Sequence, residues 1–86
     1  MTGDFDAFAA VRDAVAVVCD VDPGSLTPET RFADLSADSL ARVSIADVIE
    51  ASVLTRAHRP MHIDDVSLGQ VESLGELTDY VLAGVD

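Results

Sequence analysis

At 86 residues the chain can build one small hydrophobic core but can hardly bury a substrate cleft. Hydrophobic residues make up 49% of it, too many for a disordered tail; aromatics reach only 5% and tryptophan is absent, so the core must be aliphatic. With 16 acidic against 5 basic residues, all arginine, the net charge of −11 excludes a nucleic-acid binder driven by phosphate neutralisation and favours partners with basic surfaces.

The single cysteine, Cys19, has no partner for an internal disulfide, so a reducing compartment is its natural home. Beside Val15 and Val18 it reads as a small apolar filler rather than a reactive thiol. Met1-Thr2-Gly3-Asp4 has no signal-peptide character, and no apolar run approaches membrane-spanning length. A cytoplasmic, single-domain protein spanning 1–86, with a core of about 4–84, is expected.

In chain order, Asp4 can cap a first helix running to about Val21, with Phe5, Phe8, Val11, Val15 and Val18 at three- and four-residue spacing and Asp6 and Asp13 among the polar positions. Asp22-Pro23-Gly24 stops it. A long loop follows from Ser25 to Ala37, with Leu26, Phe32 and Leu35 as apolar anchors. An EF-hand frame starting at Asp20 fails, because Ser25 stands at the glycine position and Arg31 where the bidentate glutamate belongs. Starting at Asp22 puts Ala33 there instead.

The loop ends in Ala33-Asp34-Leu35-Ser36-Ala37-Asp38-Ser39-Leu40. Asp38 sits at an N-cap position, and Ser39 falls at the first helical residue, where unpaired amides and the helix dipole favour an anion. The second helix is expected from Ser39 to about Leu54. Its apolar face is formed by Val43, Ala46, Ile49 and Val53, with Ile45 and Val48 offset, and Arg42, Ser44, Asp47 and Glu50 lie on the other side.

Thr55 to His62 is a small basic island, broken by Pro60 and expected as a solvated loop paired with Asp64 and Asp65. His58 and His62 have no further ligand at metal-binding spacing, so no metal is expected. Asp64 can cap a short third helix carrying Val66, Leu68 and Val71. Ser73-Leu74-Gly75-Glu76 reads as a capping box for a fourth helix running to about Ala83, with Gly84 as its C-cap. The fold class is all-α: a small four-helix bundle with a short third helix.

Asp38-Ser39-Leu40, preceded by Phe32-Ala33-Asp34-Leu35 and followed by Val43, Ile45 and Ile49, resembles the acyl carrier proteins, and the likeness extends from about Phe8 to Val81. The resemblance implies a 4′-phosphopantetheine arm on Ser39, supplied from coenzyme A by a phosphopantetheinyl transferase that brings its own base and magnesium. Acyl intermediates would travel as thioesters on its terminal thiol. The carrier itself would be a non-catalytic monomer, with no nucleic-acid or membrane partner. It would dock on basic sites of acyltransferases, ketosynthases or ligases through Leu40, Val43, Asp47, Glu50, Met61 and Val66. Two positions depart from the family pattern: Ser36 replaces a usual glycine, and Ser44 stands where a glutamate is common, with Arg42 nearby. A less acidic second helix points away from general fatty-acid synthesis and towards polyketide or other specialised biosynthesis, as does an all-arginine basic set. A stand-alone peptidyl carrier is a close alternative, and a plain helical interaction domain a further one that leaves the capped, exposed serine unexplained. A Ser39–histidine–aspartate hydrolase lacks a nucleophile elbow.

Overall fold

The computed structural model describes residues 6–85, so the expectations placed on Asp4 and Phe5 lie outside the described residues. Among the described residues there are four α-helices: α1 (Ala7–Cys19), α2 (Ser39–Ala57), α3 (Asp65–Gln70) and α4 (Leu74–Val85). Two short 3-10 turns, Pro23–Ser25 and Phe32–Leu35, lie in the loop between α1 and α2. No strand occurs among these residues; a lone antiparallel bridge joins Arg31 to Ser73.

Asp6, expected among the polar positions of the first helix, is its cap: its carboxylate accepts the Ala9 N–H at 3.0 Å. The helix stops two residues short of Val21, because Asp20 turns left-handed (φ 56°) and the Val21 N–H returns to the Ala16 carbonyl at 3.1 Å. At the other boundaries, α2 runs three residues beyond Leu54, to Ala57. Pro60 still limits it, but His58 ends it first by turning left-handed.

Val11, Val15, Phe32, Ile45, Ile49, Val53, Leu74, Leu77 and Val81 are fully buried, forming the expected mainly aliphatic core with α1 packed on both α2 and α4. Val43 and Val48, expected in it, are 41% and 36% exposed. With 3.6 residues per turn they fall on opposite flanks of an arc centred on Ile49. Arg42, expected on the outer side, lies within that arc, one rung ahead of Ile45 and Ile49, and is half-buried.

The long loop is held by the apolar anchors that its sequence suggested and by backbone pairing that it did not. Leu26 and Phe32 are buried and Leu35 partly so. Its backbone is also zipped to the turn before α4: Phe32 N–H donates to Glu72 O (3.0 Å), Leu74 N–H to Thr30 O (2.9 Å) and Gly75 N–H to Pro28 O (2.8 Å). The Arg31–Glu72 ion pair, at 2.6 Å, crosses the same seam. Gly75 is a close-approach residue here, since a Cβ would sit 3.0 Å from the Pro28 carbonyl oxygen.

The capping box is half realised. Glu76 N–H donates to Ser73 Oγ (3.2 Å), but the Glu76 carboxylate takes the Glu72 N–H (3.0 Å) instead of that of Ser73. Gly84 is helical rather than a C-cap, and the Met61 side chain packs where its Cβ would be. The basic island divides between α2 and the following loop, and its ion pairs differ from those expected. Arg56 reaches Asp13 of α1 (3.6 Å) and His62 reaches Glu50 (3.5 Å), while Asp64 is occupied capping α3 through the Ser67 N–H (3.1 Å).

Candidate functional site

Phe32 begins the turn that delivers the site. Ala37 N–H closes it by donating to Phe32 O (3.1 Å), with Ser36 held left-handed at φ 55°. A left-handed residue with a Cβ is strained, which accounts physically for glycine being usual there. Ser36→Gly should therefore raise stability by about 0.5–1 kcal/mol, the relief of strain exceeding the added unfolded-chain entropy. Urea unfolding should show a higher midpoint with an unchanged slope.

Asp38 then adopts the extended backbone of a cap and its Oδ1 accepts the Ala41 N–H at 2.8 Å. The first backbone bond of the helix runs from Arg42 N–H to Asp38 O (3.0 Å). The N–H groups of Ser39 and Leu40 have no hydrogen-bond partner among the described residues. Ser39 is exposed as the first residue of α2. A phosphodiester on its oxygen fits this setting: a primary hydroxyl in solvent, unpaired amides, and the positive end of a 19-residue helix. Asp38→Ala should cost about 1 kcal/mol in thermal or urea unfolding.

Leu40 and Val66 are 75% and 68% exposed, and Val43 and Asp47 also reach solvent. These four of the sequence-derived partner residues stand outward. Glu50 and Met61 do not. Glu50 is half-buried, with its Oε2 accepting the Ile63 N–H at 2.7 Å, and Met61 is half-buried against the core and Gly84. Of the polar residues expected on the outer side of α2, Glu50 and Arg42 both turn inward and Ser44 is half-buried, so two opposite charges leave that face together and Asp47 stays exposed on it.

The role of Arg42 was missed. Its Nη1 donates to the Leu68 (3.2 Å) and Val71 (3.0 Å) carbonyls, and its guanidinium carbon lies 4.7 Å from the centre of the Phe32 ring. The available signal was its spacing: positions 42, 45, 49 and 53 form one helical ladder, with arginine on its first rung.

A Ser39–His58 pairing is impossible in this geometry, since the two lie at opposite ends of α2, about 28 Å apart at 1.5 Å per residue. His62 sits with Glu50, three turns away from Ser39. Cys19 is half-buried against the core, and burial raises its thiol pKa above the ordinary value, as suits a packing residue. Among the described residues no group of three or more His, Cys, Asp or Glu is placed to hold a metal ion, and no helix is long and apolar enough to cross a membrane.

No curated protein matches the chain. The family model described as a phosphopantetheine attachment site matches residues 9–81, most of its length, from within α1 to within α4. With the exposed, aspartate-capped serine at the head of α2, that match makes the chain a member of the phosphopantetheine-binding carrier family, to which the acyl carrier proteins belong.

Proposed function

We propose that this protein is an acyl carrier, with Ser39 the attachment residue and specialised, polyketide-type biosynthesis its setting. Proteins of this family carry covalently attached 4′-phosphopantetheine, are modified by phosphopantetheinyl transferases, work with biosynthetic enzymes and are generally non-catalytic. The arm supplies a terminal thiol on which cargo is held as a thioester. The observation that carries the reading is the placement of Ser39: exposed, first in α2, and directly after a cap that fixes its backbone.

The chain's own residues supply presentation rather than chemistry. Asp38 holds the first turn through Ala41 N–H, so the Ser39 hydroxyl is offered on rigid backbone to an enzyme that provides base and metal. Leu40, Val43, Asp47 and Val66 form the outward set for partner contact, with Glu50 and Met61 supporting it from within. The acidity of the whole chain favours partners with basic docking sites, reached by electrostatic steering. It also favours acyl over aminoacyl cargo. The neutral Ser44 on α2 supports a dedicated pathway over general fatty-acid synthesis.

Incubation with a phosphopantetheinyl transferase and coenzyme A should add the phosphopantetheine mass to the intact protein. The modified carrier should then accept a malonyl or other acyl group from an acyltransferase, and not an amino acid from an adenylating enzyme. Aminoacyl loading alone would establish the peptidyl alternative. An unmodified mass would leave a helical interaction domain.

A further inference from the structure

α2 and α3 are joined by two polar contacts of opposite sign. Near the start of α3, the Glu50 carboxylate accepts the Ile63 N–H at 2.7 Å. At its end, Arg42 donates one nitrogen to two carbonyls, those of Leu68 and Val71. Glu50 lies eight residues after Arg42, about 12 Å along α2, so the six-residue α3 runs antiparallel to α2 between them. The signs also suit the dipole of α3, with a carboxylate near its positive end and a guanidinium at its negative end.

Such a short helix is marginal in isolation. Its apolar hold is narrow: Ile63, Leu68 and Val71 are buried, while Val66 stands in solvent. On the α4 side, the Asp64 N–H reaches the Tyr80 hydroxyl at a long 3.3 Å. Arg42 is additionally braced against the Phe32 ring, in the turn leading to Ser39. One side chain thus connects the attachment turn, the attachment helix and the end of α3.

We propose that Arg42 and Glu50 are positioning residues, a two-point clasp by which α2 fixes α3 and the surface it presents beside the Ser39 helix. They act by holding α3, not as charges read by a partner. The proposal rests on the carrier reading for its functional consequence, because an enzyme that engages Ser39 would then meet an α3 already in place and spend no binding energy ordering it.

The test uses Arg42→Gln, Arg42→Lys and Glu50→Gln in the full chain, with two readouts. Amide exchange on the unmodified protein should show the amides of Leu68 to Val71 opening about tenfold faster or more in Arg42→Gln, while α1 and α4 keep the protection of the parent. Glu50→Gln should loosen Ile63 and Asp64 in the same selective way. In transferase kinetics, KM for the carrier should rise several-fold with kcat held, equally at low and high salt, because a side-chain-to-backbone clasp is poorly screened. Arg42→Lys should recover part of the KM, lacking the planar fork but keeping the charge.

Unchanged α3 exchange in both Arg42→Gln and Glu50→Gln would overturn the clasp, as would a KM effect that vanishes at high salt. If Arg42→Gln loosens the whole molecule, Glu50→Gln and Arg42→Lys decide the matter by the same criteria. The unmutated chain separates the two readings. If it is not modified, the carrier reading fails, whereas modification of parent and variants at equal KM removes the clasp alone.

Discussion

Ser39→Ala should fold like the parent and never gain the phosphopantetheine mass, under conditions where the parent is modified to completion. Ser39 is exposed and its hydroxyl makes no hydrogen bond among the described residues, so losing it removes one oxygen from the surface and nothing from the core. Alanine is also the better helix former, and stability should stay within about 0.5 kcal/mol of the parent. Ser36 and Ser44 are the useful comparisons. Ser36 flanks the site in a left-handed turn, and Ser44 is half-buried further along α2. Neither combines exposure with the first helical position, so Ser36→Ala and Ser44→Ala should both be modified. Intact-protein mass spectrometry beside far-ultraviolet circular dichroism separates loss of the Ser39 hydroxyl from loss of fold. A modified Ser39→Ala protein would move the attachment to another side chain.

Much of this site was legible because its signals are local. Asp38 before Ser39 announces a cap by residue type and position alone, and the carboxylate does take the Ala41 N–H. Asp64 before α3 was legible in the same way. Helices α1, α2 and α4 follow from apolar spacing, and Leu26 and Phe32 reveal themselves as anchors by interrupting a polar loop. Non-local pairings were harder to read. Nothing near Glu50 says that its partner is the Ile63 amide thirteen residues on, and nothing near Glu76 says that it will reach back to Glu72 rather than Ser73. Arg42 shows the limit most clearly. Charge assigns it to solvent, whereas register assigns it to the core-facing ladder with Ile45 and Ile49, and here register prevails. The long arginine side chain makes that possible, covering Phe32 while its donors find the free carbonyls at the end of α3.

Phe32→Ala should be the most damaging single change in the chain. Phe32 is fully buried, and it begins the turn that ends at Ser39. Its backbone carries two of the bonds that shape that turn, donating to Glu72 O and accepting from Ala37 N–H. Truncating a buried phenylalanine costs about 3–5 kcal/mol. A chain of this size holds roughly 4–13 kcal/mol in all, so the variant should lose from about a quarter to all of its stability, read as a much lowered urea midpoint. Phe32→Leu keeps most of the volume and should cost less than about 1.5 kcal/mol, leaving a folded protein that lacks only the ring under Arg42. That variant allows the stacking to be measured separately. Combined with Arg42→Gln it should show a coupling of about 0.5–2 kcal/mol in urea unfolding, the range of a partly desolvated cation over an aromatic face. Strict additivity would mean that the guanidinium gains nothing from the ring and is held by the α3 carbonyls alone. A coupling in that range would tie the turn before Ser39 to α3 energetically, since the same side chain that stacks on the turn's first residue also closes the far end of α3.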